Sequence, residues 1–388
     1  MPVEVIEHII DSFASDKRTL KACALTGRAW LPRARYHLYR TLVVRRGGRD
    51  PYKLRFYPAV ARCVRRVIVH DGLWNEVSNS VLVKLGHVER LHLSISYGHM
   101  QRDISAAQFP HFPALKELRL ENVAFHSGDE LLSILRDMRN LTSVSIPLTS
   151  MNYLTAENLE RLAAPYRSTP VHLPLQFVHL LVRPTPGPVA REILAMAGPS
   201  LKNLSIRIVS LSSGLRPTCK LSHPCALQRH SHSPSVNLMR ELDLSRNTAL
   251  ETVFLHFYWS DPLWYYSTPR AEHDATLAGA FLAAVHSPHL RSLRLRIVAP
   301  GEHEHLRWLR YFDIGFLDAF AEPVYDAGLS VGEMQRALAR AKGLQSVQLE
   351  LKFTCALEET ELSRVRRHVG DQLPALRRRN LLQIECIQ

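Results

Sequence analysis

The residues best suited to metal chemistry lie in one segment rich in serine, proline and histidine. It contains Cys219, His223, Cys225 and His230, and cysteine thiolates and histidine imidazoles are the ligands that zinc prefers. The spacing matches no common zinc finger, and in a chain with 20 histidines such groupings arise by chance. We therefore interpret the segment as a solvated loop, and we predict no metal and no other cofactor.

Several motifs for enzymatic chemistry do not occur in the chain. They are G-x-x-x-x-G-K-[ST], G-x-G-x-x-G and H-E-x-x-H, which supply the phosphate-binding amides or paired imidazoles that such chemistry needs. We therefore predict that the protein is not an enzyme. Its six cysteines, at 23, 63, 219, 225, 355 and 386, are too scattered for a disulfide framework and fit a reducing compartment.

Aromatic residues concentrate between Phe254 and Tyr266. Trp and Tyr dominate the binding energy of protein interfaces, so this cluster would suit an anchor for a protein substrate. The alternative is core packing, which we favour for Phe254 and the residues on its face of the strand. Trp264 and Tyr265 are our candidate substrate-binding residues, because they fall on the solvent side of this pattern.

One phrase of the form L-x-x-L-x-L recurs seven times from Val88 onward. VERLHLSI, ALKELRLENV and HLRSLRLRIV are examples, and their alternating apolar positions predict short strands with one buried face. The aligned positions recur after 27 residues, from Leu91 to Leu118, and then after 26, from Leu118 to Val144. Repeats of about 20–29 residues with this phrase are typical of leucine-rich repeats.

Later intervals between the aligned positions stretch to 60, 40 and 54 residues. The first spans two repeats, because Leu173–Val182 supplies a degenerate strand between Val144 and Leu204. The longer spacing of the later repeats predicts inserted segments. We place these insertions near 212–235, 259–275 and 300–330.

Between the strands the apolar period changes from two to about 3.6, which predicts helices. Ser127 is placed to cap one of them, SGDELLSILRDM. Its apolar face consists of Leu131, Leu132, Leu135 and Met138. The segment GPVAREILAMAG behaves likewise, so we predict a right-handed α/β solenoid of leucine-rich-repeat type.

The beginning of the chain follows helical spacing and lacks the strand phrase. The first of three short helices has one continuous apolar face, formed by Val5, Ile6, Ile9, Ile10 and Phe13. We expect Thr19 to cap the second helix, which ends near Gly27, and Trp30 to face inward from the third. Three short helices cannot bury this much apolar surface among themselves, so part of it must dock on another surface.

These patterns divide the chain into three parts. Residues 1–42 form the helical module, 43–64 a connector and 65–388 the solenoid. Within the solenoid, RRVIVH (65–70) is a leading strand and LLQIECIQ (381–388) a last strand or cap. The fold class is therefore α/β, with a three-helix module followed by repeats.

The positive charge is confined to one segment. The chain has a net charge of +13, and between Lys17 and Arg66 there are 15 Lys and Arg against the single acid Asp50, a net charge of +14. The remainder is therefore almost neutral. A protein that coats nucleic acid usually spreads its basic residues over the binding face, so this pattern favours a specific acidic partner for one small module.

The N-terminal residues form a distinctive combination. Its elements are Pro2 with Glu4 and Val5, the run Ile6, Ile9 and Ile10, then Leu20, Cys23–Leu25, Arg28 with Trp30, and Arg35–Thr41. Together they resemble an F-box, in the form common to fungal F-box proteins with degenerate leucine-rich repeats. The resemblance covers about the first 42 residues closely, and the repeats match in architecture.

The resemblance implies a function in ubiquitin transfer. F-box helices bind the Skp-type adaptor of a Skp–cullin–F-box ubiquitin ligase, and through it a cullin, while the repeats bind a protein substrate. The arginines would then steer association with an acidic adaptor. The adaptor contacts implied in this chain are Pro2, Ile6, Ile9, Ile10, Leu20, Leu25, Trp30 and Leu38, although any of them could instead belong to the internal core of the module.

Two other functions stay open: a leucine-rich-repeat scaffold, and a nucleic-acid-binding protein that uses the basic segment 17–66. No run approaches the length of about 18 apolar residues that a membrane span needs, so we predict no membrane partner. Acids stand near the N-terminus where a secretory signal would have basic residues. We therefore expect the protein in the cytoplasm, the nucleus or both.

Overall fold

The computed structural model divides into two compact units, Met1–Pro165 and Tyr166–Gln388. Each is built around parallel β-strands. The structure describes residues 1–45, 58–70, 82–94, 109, 111–121, 123, 125, 127–147, 171–182, 187–210, 242, 244–259, 285, 287–299, 343–353, 359–360, 362–363, 366–367 and 379–387.

The first unit begins with three helices, as the sequence predicts. They are α1 (Val3–Ser12), α2 (Lys17–Thr26) and α3 (Leu31–Tyr39). Pro2 precedes α1, and Glu4 lies in its first turn, where a negative charge stabilises the helix dipole.

Five parallel strands follow in the first unit and pair in chain order. They are β1 (Thr41–Val44), β2 (Arg66–His70), β3 (Arg90–Ser94), β4 (Glu117–Glu121) and β5 (Ser143–Pro147). A short helix, α4 (Pro58–Ala61), and a 3-10 turn, Leu82–Lys84, lie between strands. Strand β1 reaches into the stretch 43–64 that the sequence assigns to a connector, so strand pairing begins earlier than predicted.

The described residues of the second unit include six further parallel strands in chain order. They are β6 (Phe177–Val182), β7 (Asn203–Ser210), β8 (Thr252–Trp259), β9 (Ser292–Ala299), β10 (Ser346–Phe353) and β11 (Leu382–Ile387). The degenerate strand predicted within Leu173–Val182 and the last strand predicted from LLQIECIQ are therefore both confirmed.

The predicted repeat alignment is confirmed residue by residue. Leu91 pairs with Leu118 and Leu118 with Val144 in the first unit. In the second unit Leu204 pairs with Val253, Val253 with Leu293 and Leu293 with Val347. These are the positions aligned from the L-x-x-L-x-L phrase, so the sequence correctly predicts the register of the strands.

The apolar positions of the phrase form the core of each unit, because one face of every strand is buried. In nine successive repeats all three apolar positions are buried. They are Val64, Val67 and Val69; Val88, Leu91 and Leu93; Leu115, Leu118 and Leu120; Leu141, Val144 and Ile146; Leu175, Val178 and Leu180; Leu201, Leu204 and Ile206; Leu250, Val253 and Leu255; Leu290, Leu293 and Leu295; and Leu344, Val347 and Leu349.

Two predicted helices lie between strands of the same unit. In the first unit, α5 (Gly128–Asp137) begins after Ser127, whose hydroxyl accepts a hydrogen bond from the amide of Glu130 at 3.3 Å. The predicted cap is therefore confirmed, and the apolar face of α5 is buried. In the second unit, α6 (Gly187–Ala197) leads into a 3-10 turn, Gly198–Ser200.

A buried asparagine fixes the end of α6. Asn247 donates from its amide nitrogen to the carbonyls of Leu194, at 3.1 Å, and Gly198, at 2.9 Å. Buried carbonyls at a helix end need such donors. None of the helices in the described ranges is long and apolar enough to cross a membrane.

Candidate protein-binding surfaces

The three N-terminal helices pack together through a small apolar core. Its buried members are Ile6, Ile10, Leu20, Cys23 and Ala34, and Ala24, Trp30 and Leu38 pack against them while partly buried. The core uses only one side of the apolar face predicted for α1, because a helix of ten residues can turn only about half of its surface inward.

Asp16 fixes the beginning of α2. Its carboxylate accepts hydrogen bonds from the amides of Arg18, at 2.9 Å, and Thr19, at 3.2 Å, and from the Thr19 hydroxyl at 2.6 Å. These hydrogen bonds lower the pKa of Asp16. The prediction that Thr19 caps this helix was wrong, because Asp is a stronger cap and lies three residues earlier.

An ion cluster joins α1 to α3. Arg33 donates from Nε and Nη2 to the two carboxylate oxygens of Asp11, both at 2.6 Å, and His37 Nε2 lies 2.7 Å from Asp11 Oδ1. The hydrogen bond from Arg33 is the main cause that lowers the pKa of Asp11, and His37 adds to it. The cluster holds the two helices in one geometry, because a planar guanidinium binds a carboxylate in a fixed orientation.

Large apolar side chains remain exposed on the same helices. Of the seven exposed large hydrophobic residues in the described ranges, six lie in the first 39 residues. Leu25 is the extreme case, with 87% of its surface exposed. The others are Met1, Val3, Val5, Phe13 and Tyr39. We call these six residues the exposed apolar set.

The eight predicted adaptor contacts fall into three groups by burial. Ile6, Ile10 and Leu20 are buried between the helices. Ile9, Trp30 and Leu38 are half-buried, and Pro2 and Leu25 are exposed. Of the exposed apolar set, sequence reasoning assigned only Leu25 to the contact set, because no period in the sequence separates an exposed apolar residue from a buried one. It missed Met1, Val3, Val5, Phe13 and Tyr39.

The second unit presents a different surface, on the face of its strands opposite the apolar core. Two rows of paired residues cross it. The phenylalanine row contains His179, Ser205, Phe254, Arg294, Gln348 and Gln383. The glutamate row contains Leu181, Arg207, His256, Arg296, Glu350 and Glu385.

A buried carboxylate lies beneath two arginines on this surface. Glu350 is fully buried and forms ion pairs with Arg294 and Arg296, whose side chains are 41% and 29% exposed. Both guanidinium carbons also lie over the ring of Phe254, at 5.2 and 5.5 Å from its centre. Burial lowers the pKa of Arg296, and the positive charge of Arg294 lowers it further.

The other candidate residues lie outside the described ranges. They are the metal candidates Cys219, His223, Cys225 and His230, the substrate candidates Trp264 and Tyr265, and the predicted insertions near 212–235, 300–330 and most of 259–275. The part of the chain that the structure describes contains no group of His, Cys, Asp and Glu residues that could hold a metal ion.

One further motif, Gly328-Leu329-Ser330-Val331-Gly332, matches the G-x-S-x-G pattern of hydrolase nucleophile turns. The pattern is short and has catalytic meaning only where a strand leads into it and a helix follows. It also lies outside the described residues. That the protein is not an enzyme therefore stays a prediction.

No family model matches the chain, and no curated protein matches it. The structure is similar to the crystal structure of the leucine-rich repeat-containing protein LegL7 from Legionella pneumophila, at 13% sequence identity and a TM-score of 0.38. The likeness covers 85% of this chain and 97% of that chain.

Proposed function

We propose that this protein is the substrate-recognition subunit of a Skp–cullin–F-box ubiquitin ligase. In this proposal the N-terminal helices bind a Skp-type adaptor, and the strand repeats bind a protein substrate. The protein would perform no bond chemistry of its own. It would raise the effective concentration of the substrate beside the ubiquitin-carrying enzyme.

The observation that carries the proposal is the exposed apolar set on the N-terminal helices. Leaving side chains such as Leu25 and Val5 in water costs about 25 cal/mol for each Å² of apolar surface that a partner could cover. This cost is concentrated in the segment that resembles an F-box. A helical partner surface would recover it, as in other interfaces where amphipathic helices dock.

The charge of the same segment agrees with an acidic partner. Arg18, Arg28 and Arg35 are exposed on or beside α2 and α3. Rim charges of one sign speed up association with a partner of the opposite sign and suppress wrong partners. The adaptors bound by the family that this segment resembles are acidic, so the arginines would surround the apolar contact.

The buried members of the predicted contact set have a supporting role in this proposal. Ile6, Ile10 and Leu20 hold the three helices together, and the ion cluster of Asp11, Arg33 and His37 fixes α1 against α3. Direct contact would come from Leu25, Val5 and their exposed neighbours.

Co-expression with a Skp-type adaptor tests the proposal. We expect a stoichiometric complex on size-exclusion chromatography, and we expect Leu25→Asp combined with Val5→Asp to abolish it. Both side chains are exposed. The acid at position 5 lies in the first turn of α1 and suits the helix dipole, whereas the acid at position 25 lies in the last turn of α2 and should cost about 0.5 kcal/mol. We expect the variant to fold, and circular dichroism checks it.

Phe177→Asp is the matched control, because Phe177 is the exposed large apolar residue among the described residues of the second unit. It should leave the complex intact. A folded protein that ignores the adaptor, or a complex that the double variant leaves unchanged, would overturn the proposal.

The net charge of +14 in segment 17–66 supports nucleic-acid binding as a second candidate function. It predicts an affinity for RNA or DNA that falls steeply as salt increases, because bound phosphates release counterions. A gel-shift titration at two salt concentrations would measure it. Binding that is equally weak at both concentrations would exclude this candidate.

A further inference from the structure

The phenylalanine and glutamate rows hold an unusual distribution of charge. On strands β6 to β9 they contain three arginines, Arg207, Arg294 and Arg296, and no carboxylate. The carboxylates of the rows, Glu350 and Glu385, lie only on the last two strands, β10 and β11. One part of this surface is therefore positive.

Burial determines which charged groups are accessible to solvent. Glu350 is fully buried, whereas the two arginines paired with it are partly exposed. The two rows together hold three arginines against two carboxylates, Glu350 and the exposed Glu385, whose charge also acts on Arg296, so the rows keep a net positive charge. Each arginine has five donors, and an anion above the surface could use those that do not reach Glu350.

Repulsion between the arginines adds to this effect. The positive charge of Arg294 contributes to the lowered pKa of Arg296. An anion placed between the exposed sides of both groups would relieve that repulsion. Both guanidinium groups already pair with one carboxylate, that of Glu350.

The neighbouring residues suit a peptide. Phe254 is half-buried under both guanidinium groups and lies 6.0 Å from the stacked ring of His256. Beside it, His179 Nδ1 and the Ser205 hydroxyl lie 2.8 Å apart. The surface thus offers aromatic contact and polar groups next to the positive charge, spread over strands that lie about 4.8 Å apart.

We propose that this face, centred on Arg294, Arg296 and Phe254, binds an extended protein segment rich in Asp and Glu. The guanidinium groups would bind the carboxylates from above, in charge-assisted hydrogen bonds. The proposal names a substrate class for the strand repeats. It rests on the part of the proposed function in which the repeats bind a protein substrate, and not on adaptor binding, since peptide binding needs no adaptor.

The test uses the full-length protein and three fluorescent peptides of equal length. One alternates Glu with Leu and Ser, the second has Gln in place of Glu, and the third has phosphoserine in place of Glu. Anisotropy should show binding of the Glu peptide and little binding of the Gln peptide. We expect Arg294→Gln to weaken the Glu peptide about tenfold, the loss of one charge-assisted contact.

Arg119→Gln is the matched control. Arg119 is an exposed arginine on the strand face of the first unit and also pairs with a glutamate. It should leave the affinity for the Glu peptide unchanged. Equal weakening by Arg119→Gln and Arg294→Gln would overturn the proposal, because the attraction would then be a property of the net charge.

Three other outcomes would also overturn it. They are equal binding of the Gln and Glu peptides, binding of the phosphoserine peptide alone, and RNA binding that Arg294→Gln abolishes in the same way. If Arg294→Gln does not fold by circular dichroism, Arg294→Lys takes its place. It keeps the charge over Glu350 but loses the planar fork, so about threefold weaker binding is expected.

The adaptor complex separates this inference from the proposed function. Arg294→Gln should still co-purify with a Skp-type adaptor as well as the unmodified chain does. Loss of peptide binding with the adaptor complex intact is the result that supports both proposals. A chain that binds the Glu peptide but no adaptor would refute the ligase role and leave the acidic-segment site standing.

Discussion

The strand face of the first unit and the phenylalanine and glutamate rows of the second contain the same numbers of arginine, glutamate and histidine side chains. On β2 to β4 these are Arg66, His70, Arg90, His92, Glu117, Arg119 and Glu121. In the phenylalanine and glutamate rows they are His179, Arg207, His256, Arg294, Arg296, Glu350 and Glu385. Each set has three arginines, two glutamates and two histidines.

The two sets differ in how deeply their carboxylates are buried. In the first unit the charges stand side by side and partly exposed: Arg90 lies 3.4 Å from Glu117, and Glu121 pairs with both Arg119 and His92. In the second unit one carboxylate, Glu350, is buried beneath its arginines. With equal composition, both carboxylates of the first set are therefore partly exposed, whereas in the second set Glu385 is exposed and Glu350 is buried. Four predictions test this contrast.

The largest expected effect is that of Glu350→Gln. Removing a fully buried carboxylate leaves two neighbouring guanidinium groups without their shared buried partner, which we expect to cost about 3 kcal/mol of unfolding free energy. Glu117→Gln, in the exposed pair with Arg90, should cost less than about 1 kcal/mol. Urea denaturation of both variants measures the two costs; equal values would abolish the distinction between the faces.

Phe254→Leu should have an intermediate effect, of about 1 kcal/mol. The change keeps an apolar side chain but removes the ring over which Arg294 and Arg296 lie. Phe177→Leu changes an exposed ring and should be nearly neutral. A shift of the denaturation midpoint in the first variant alone is the expected result, and a neutral Phe254→Leu would show that the ring does not support the arginines.

Glu121→Gln should have a smaller effect that depends on pH. Burial acts to raise the pKa of Glu121, but hydrogen bonds from His92 and Arg119 outweigh it, so the pKa is lowered. A lowered pKa in the folded state adds stability above the ordinary glutamate range, near about 4.3, and that stability is lost as the pH falls below it. The variant should thus be about 0.5 kcal/mol less stable than the unmodified chain at pH 7. Urea denaturation at successively lower pH should show this difference shrinking below that range.

The smallest expected effect belongs to Arg90→Gln. Both partners of the Arg90–Glu117 pair are exposed, so the change should cost a few tenths of a kcal/mol, about 0.3, at low salt. In about 1 M NaCl the cost should vanish, because charges in water are screened within about 3 Å. The cost of Glu350→Gln should persist at the same salt, since buried pairs are screened far less. Thermal melts of both variants at the two salt concentrations measure these costs. A cost of Arg90→Gln that persists in about 1 M NaCl would contradict the prediction.

The sequence predicts the strands and their register with accuracy, and the physical reason is the period of the core. Each L-x-x-L-x-L phrase places its apolar residues on one buried face, so aligning the leucines aligns the strands, as Leu91 with Leu118 and Leu293 with Val347. Such a repeated pattern leaves one register that buries every leucine. Strand β1 was not predicted, because TLVV is too short to contain the L-x-x-L-x-L phrase.

The candidate surfaces could be predicted only in part. Composition locates the apolar and basic N-terminal segment, but not that Ile6 and Ile10 turn inward while Val5 stays exposed. Burial of Glu350 beneath Arg296 has no signature in QLELKF, since alternation alone would place this glutamate in water. Local patterns specify which face a residue occupies; neighbouring strands decide how deep it lies.

One short junction has a mechanical consequence. Arg40 is the single residue between the end of α3 at Tyr39 and the start of β1 at Thr41. Its carbonyl accepts hydrogen bonds from the amides of Arg65 and Arg66, both at 2.9 Å. A single residue spans at most about 3.6 Å and leaves no slack. A force that a bound partner exerts on α3 would therefore be transmitted directly to the paired strands of the first unit. The helix and these strands would move together as one rigid element.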